Sequence, residues 1–142
     1  RQNVIDFLQH EEGNQLLNKV SKESTCSVHI GQQSIHLRLV KGRIEEQSVD
    51  VIVNSAAPDL TLDKGEVAKC LSRTAGATLQ QDIQRRFPKG VLERTVLKGG
   101  PGNLNSKYVY HVVLPMQIAG KETEVVETLM KECLEMAIKD KC

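Results

Sequence analysis

Residues Val49 to Gly76, VDVIVNSAAPDLTLDKGEVAKCLSRTAG, place an apolar run, a stretch of methyl-sized side chains and a helix start in immediate succession. Val49, Val51, Ile52 and Val53 form a β-branched run with a single acid, the pattern of a strand covered on both faces, as parallel strands of α/β proteins are. Asn54, Ser55, Ala56 and Ala57 follow with almost no side-chain bulk, at the carboxyl end of the strand where open α/β sheets place their ligands. Pro58 closes that turn. After a short loop, Gly65 precedes Val67, Leu71 and Ala75 at helical spacing. Peptide N–H groups near Gly65, with the positive end of the helix dipole behind them, suit an anion such as a diphosphate. Many α/β proteins join strand to helix through small residues with no ligand at all, so the motif alone fixes the fold class more firmly than the function.

The chain has 142 residues, enough for one domain with a substantial core. With 19 basic and 18 acidic residues the net charge is +1, which argues against binding polyanions through bulk charge. No Trp, two Tyr and two Phe leave little to stack single-stranded nucleic acid upon. The cysteines, Cys26, Cys70, Cys133 and Cys142, show no CxxC and no ligand-like clustering with His10, His29, His36 or His111. They read as reduced thiols of an intracellular protein, nuclear or cytosolic, and no metal or other cofactor is expected. No apolar run reaches the length of a membrane span, and RQNVIDFLQHEEG carries charges where a signal peptide needs an apolar centre. A start at Arg1 suggests a fragment of a longer chain.

Residues from about Val4 to Val20 carry Ile5, Leu8, Leu16, Leu17 and Val20 on a broken helical period interrupted at Gly13 and Asn14. Two short helices or one broken one are expected. Cys26, Val28 and Ile30 then alternate with polar residues, Gly31, Gln32 and Gln33 turn the chain, and Ile35, Leu37 and Leu39 alternate again, predicting an antiparallel hairpin. After the strand at Val49 to Asn54, a helix over about Glu66 to Thr74 ends at Gly76 in a left-handed cap. Leu79, Ile83 and Phe87 repeat at four-residue spacing until Pro88 stops them. Strands are expected at Val91 to Leu97 and Tyr108 to Leu114, with Lys98 to Asn103 as a loop between them. Val126, Leu129, Met130, Cys133, Leu134, Ala137 and Ile138 share one stripe of a long final helix. This order fits a mixed sheet covered by helices.

The segments KGRI, VDVIVNSAAPDL, KGEVAKCLSRTAG and KYVYHVVLP, in that order, resemble the macrodomain family of ADP-ribose-binding modules, and most of all the later tandem macrodomains of large mono-ADP-ribosyltransferases. The resemblance covers about the last three quarters of the chain. It implies a three-layer α/β/α fold with a mixed sheet over residues 25–142, truncated at its C-terminus, because the family continues past the final helix with another strand, a second glycine-rich loop and a last helix. Residues 1–24 would be a helical lead-in, similar to the tail of the KH-like modules that precede macrodomains in those transferases. ADP-ribose or ADP-ribosylated proteins are the implied partners, together with neighbouring domains of a larger NAD-consuming glycosyltransferase; nucleic acid and membrane are not.

The same resemblance nominates Arg43, Ile44, Asn54, Ser55, Ala56, Ala57, Lys64, Gly65, Glu66 and Val67 as ligand-binding residues. Three of these positions depart from the family wording. Arg43 replaces the acid that accepts the adenine amino group; a guanidinium has no acceptor, although it can stack flat on a base, and Ile44 still offers its backbone N–H. Ala57 replaces the second Asn, which orients the distal ribose or a catalytic water. Lys64-Gly65-Glu66 replaces a glycine triplet, keeping one permissive position and adding a carboxylate whose charge Lys64 can offset. Asn54 has two readings, a loop-pinning amide or a ligand contact. Asp63 reads as a first-turn acid and Cys70 as a small core residue. His111 reads as a hydrogen-bonded structural histidine and GGPGN as a plain loop. The expectation is noncovalent binding without catalysis; the alternative is a degenerate macrodomain used as a scaffold, and residual hydrolase activity is the third reading.

Overall fold

The computed structural model describes residues 23–30, 33–115 and 120–142. They fall into two compact units divided between Arg43 and Ile44. The expected helices before Val20 and the turn residues Gly31 and Gln32 lie outside the described residues.

In the first unit β1 (Glu23–Ile30) and β2 (Gln33–Val40) pair antiparallel, with Cys26 opposite Leu37 and Val28 opposite Ile35. The two alternating runs thus face each other in register, as a period of two requires.

The second unit opens with a 3-10 turn (Ile44–Glu46) and continues through β3 (Val51–Ala56), α1 (Glu66–Ala75), α2 (Ala77–Arg86), β4 (Thr95–Gly99), β5 (Tyr108–Val113) and α3 (Glu122–Lys139). Its sheet is mixed, in the order β3-β5-β4, with β5 parallel to β3 and antiparallel to β4. Alternation along the strands separates two faces. Ile52 and Val109 meet Leu62, Ala68, Leu71, Ala75, Leu79 and Leu104 on one face, where Leu97 and Val113 also pack with Leu60 and Ile83. Val96, Tyr110 and Val112 meet Val125, Leu129 and Cys133 on the other. The result is a three-layer α/β/α arrangement, α1 and α2 above the sheet and α3 below it.

Several boundaries differ from those read in the sequence, each for a local reason. The central strand starts at Val51 rather than Val49, because the Val49 N–H is spent on the Asn105 carbonyl at 3.2 Å and the Asp50 carbonyl accepts from Lys107 and Tyr108. The next strand runs Thr95–Gly99 instead of Val91 to Leu97. Val91 donates to the Pro58 carbonyl at 2.9 Å, Leu92 is 83% exposed, and Arg94 adopts φ 62, so the chain is still turning where the apolar letters suggested extension. Gly99 therefore belongs to the strand and not to the loop. Gly76 ends α1 with φ 79 but ψ −179, which is not the left-handed helical cap expected; it serves as the joint between α1 and α2. In α1 the buried residues are Ala68, Leu71 and Ala75, while Val67 is exposed. In α3 the buried stripe is Val125, Leu129 and Cys133, and Met130, Leu134 and Ile138 are exposed. Among the described residues no helix is long and apolar enough to cross a membrane.

Candidate functional site

The carboxyl ends of β3 and β5 lie at the same end of the sheet because the two strands are parallel. From β3 the chain enters the loop Ala57 to Gly65, which leads into α1. Buried Leu60 and Leu62, 1% and 2% exposed, anchor this loop from beneath. The Leu60 N–H closes a turn on the Ala57 carbonyl at 2.8 Å. Asp59 Oδ1 accepts from both the N–H and the hydroxyl of Thr61, at 3.2 and 2.9 Å, and Asp59 Oδ2 accepts from the Lys64 ammonium. The Lys64 bond first, and then those from Thr61, pull the Asp59 carboxyl down to about 2.

The loop ends at Gly65, with φ 84 and ψ 147, a conformation only glycine holds without strain. A Cβ placed there would meet nothing within 4 Å, so the space in front of it is open. No side chain caps this helix end, and the first-turn N–H groups of α1 have no partner within the helix. Glu66, whose carboxylate threatened to fill this space, turns along the helix towards Lys69 at 3.4 Å and stays 88% exposed. Lys64 is half-exposed and held by Asp59. The opening thus presents peptide N–H groups at a helix start, a suitable setting for an oxyanion.

The other nominated residues are distributed unevenly around this opening. Ser55 is exposed, Ala56 and Ala57 are half-buried, and Val67 is exposed on the first turn of α1. Ile44, 36% exposed, sits on the 3-10 turn that packs against α1. Arg43 belongs to the first unit, on the other side of the boundary from these residues. Asn54 is turned inward: it is 1% exposed, and its amide nitrogen lies 3.4 Å from Nδ1 of His111 on the neighbouring strand. It pins strand to strand rather than turn backbone. Among the described residues Asn54 Oδ1 and His111 Nε2 find no hydrogen-bond partner. Burial first, and then the positive charge of Arg86, push the His111 imidazole down to about 4, so the ring is neutral at physiological pH. Gly99 lies against that ring, and a Cβ there would stand 2.9 Å from Nε2. Cys70 is half-buried beside Arg73 rather than in the core. The GGPGN loop packs on the end of α1, where the Asn103 N–H donates to the Ala75 carbonyl at 2.9 Å.

Sequence reasoning missed two further residues near the site. Glu45, in the 3-10 turn, is 6% exposed despite its charge. Gln80, on α2, bonds both sides of the loop. Gln80 carries no local signal, since its partners lie 18 and 20 positions away along the chain. A surface depression of about 390 Å³, lined by Ser48, Asp50, Asn105 and Lys107 among others, lies at the opposite, amino end of β3 and β5 and forms no part of the site. Among the described residues no group of His, Cys, Asp and Glu is arranged to hold a metal ion.

Comparison with known proteins agrees with this arrangement. The human protein mono-ADP-ribosyltransferase PARP14 is 35% identical over 106 residues, which cover 72% of this chain and 6% of that protein. The mouse protein mono-ADP-ribosyltransferase PARP9 is 33% identical over 117 residues, covering 82% of this chain and 13% of its own length. The chain therefore spans only a small part of the curated transferases it matches. Among solved structures, the Oceanobacillus iheyensis macrodomain with ADP superposes with a TM-score of 0.71 at 23% identity, over 85% of this chain and 66% of that one. The family model for the Macro domain matches residues 53–142, and with the fold in agreement the chain belongs to the Macro domain family.

Proposed function

We propose that this macrodomain binds ADP-ribose, free or attached to a protein, noncovalently and without catalysis, with the diphosphate at the N-terminus of α1. The observation that carries the reading is the open approach to Gly65: its backbone holds a glycine-only conformation, nothing stands within 4 Å of its Cβ position, and the Glu66 carboxylate points away. Support also comes from the O. iheyensis macrodomain, a structural neighbour solved with ADP. Two features weigh against turnover. The Ala57 side chain has neither donor nor acceptor with which to hold a water against the distal ribose. Asn54 is committed to His111 inside the protein. Lys64 directly precedes Gly65, and a phosphate there would compete with Asp59 for its ammonium. The whole protein is proposed to be a longer intracellular ADP-ribosyltransferase in which this segment recognises modified partners.

Calorimetric titration with ADP-ribose tests the reading directly. Saturable heat is expected, and Gly65→Val, which forces a β-branched residue into positive φ and places methyl groups in the opening, should weaken binding by about tenfold or more. A flat titration at millimolar ADP-ribose would reject it. The scaffold reading would then stand, supported by the exposed apolar side chains Met130, Leu134 and Ile138 on α3.

A further inference from the structure

Gln80 sits on α2, one turn in from its start, with its side chain half-buried against the loop that precedes α1. Its amide makes two bonds to that loop. The Leu62 N–H donates to Oε1 at 2.7 Å, and Nε2 donates to the Leu60 carbonyl at 2.8 Å. One side chain thereby satisfies a donor and an acceptor on either side of Thr61, as a neighbouring strand would. The loop needs such a partner because Leu60 adopts φ 57, a conformation that a branched residue does not hold unaided. Only Asp63 and Lys64 separate the stapled segment from Gly65, so the staple fixes where α1 begins and where its free N–H groups point.

We propose that Gln80 is a positioning residue for ligand binding: it holds the loop from Ala57 to Gly65 in the one shape that presents the amides of α1, and it does so without touching the ligand. This rests on the reading that ADP-ribose docks at that helix end. Gln is suited to the task where neighbouring chemistries are not. Ala would leave the Leu62 N–H and the Leu60 carbonyl without their partner. Glu, ionised, would still accept from Leu62 but set a second acceptor against the Leu60 carbonyl. Protonated Glu regains a donor and becomes a near copy of Gln. A loosened loop populates the competent shape only part of the time, and the apparent affinity falls by that fraction.

The test compares wild type, Gln80→Ala and Gln80→Glu in calorimetry and stopped-flow binding of ADP-ribose, at a temperature where circular dichroism shows each to be folded. Gln80→Ala should weaken affinity by about tenfold or more, through slower association with dissociation little changed. Gln80→Glu should bind poorly at pH 7.5 and recover towards the wild-type value measured at the same pH as the solution is taken to about pH 5, where a carboxyl near its ordinary range begins to protonate. Amide hydrogen exchange at Leu62 should quicken in Gln80→Ala, which removes its acceptor. A contact that merely adds stability would lower Tm yet leave the affinity of the folded protein unchanged. That result, with wild type binding normally, would overturn the role of Gln80 and leave the site standing; no binding by wild type would overturn both. Should Gln80→Ala fail to fold, absence of acid recovery in Gln80→Glu would overturn the role by itself.

Discussion

Among the described residues, His111 ties the interior of this protein to pH. Its ring is fully buried between β3 and β4, shares one bond with Asn54, and leaves Nε2 without a hydrogen-bond partner among the described residues. Burial and the Arg86 charge disfavour an imidazolium and outweigh the attraction of Asp82, while Nδ1 already faces an amide nitrogen. The folded ring titrates at about 4, below the ordinary 6.5. A depressed histidine binds its proton in the unfolded chain first, so the unfolded state takes up more protons between those two values and stability falls as pH drops from 6.5 towards 4. The contribution at stake is roughly 3 kcal/mol. Denaturant titrations at pH 7.5 and pH 4.5 should show this loss, and His111→Gln should flatten the slope across that window. Asp59 does not confuse the experiment. Its carboxyl is held at about 2, so the stability it adds is present above the ordinary carboxylate range and is lost only as pH falls below 3.8.

At the scale of elements, the loop between β3 and α1 owes its shape to parts of the chain that follow it. Gln80 grips its middle, and the connection after α2 grips its base, where the Val91 N–H meets the Pro58 carbonyl. Gly90 makes that second grip possible, because it combines φ 75 with a position where any Cβ would overlap the Pro58 carbonyl oxygen. Gly90→Ala should cost about 2–3 kcal/mol, combining backbone strain with a displaced loop, and chemical denaturation should read it as a lower midpoint. The identity of this loop was legible in the sequence: a β-branched run, small residues, then Gly65 before a helical period. Its supports were not. Asn54, Gln80 and Gly90 are defined by partners from 18 to 57 positions away or by contact with a distant carbonyl, and periodicity carries no trace of such pairings. The same blindness hid the bounds of β4, Thr95–Gly99, where a glycine that looked like loop lies against His111. Helix faces misled for another reason. Val67, Met130, Leu134 and Ile138 have apolar side chains at plausible spacing, yet their neighbours Ala68, Leu129 and Cys133 face the sheet, since a shift of one residue turns a helix by about 100°.

For the unit from Ile44 to Cys142 as a whole, the two faces of the sheet carry different tasks. The α1 and α2 side bears the opening at Gly65, while the α3 side closes the core and ends in a polar clasp. Asp140, just past the end of α3, accepts from the Tyr110 hydroxyl at 2.6 Å and from the Lys98 ammonium at 2.7 Å, so one carboxylate ties the helix to both β5 and β4. Lys98 also lies 4.8 Å from the centre of the Tyr108 ring, which stacks near Tyr110. Lys98 and then Tyr110 hold the Asp140 carboxyl below its ordinary range, and burial followed by the bond to Asp140 pushes the Tyr110 hydroxyl up, so both keep their bonding forms throughout the neutral range. Tyr110→Phe keeps the ring within the core and deletes only the hydroxyl. Its expected cost is a fall in Tm of about 5 °C, the effect of one hydrogen bond in a unit of this size. ADP-ribose affinity should stay at the wild-type value, because the clasp is on the face opposite α1 and shares no partner with the loop. Calorimetric affinity and thermal melting of the same preparation decide it together: a fall in both would mean that the two faces of the sheet are coupled, and the division of labour between them would have to be abandoned.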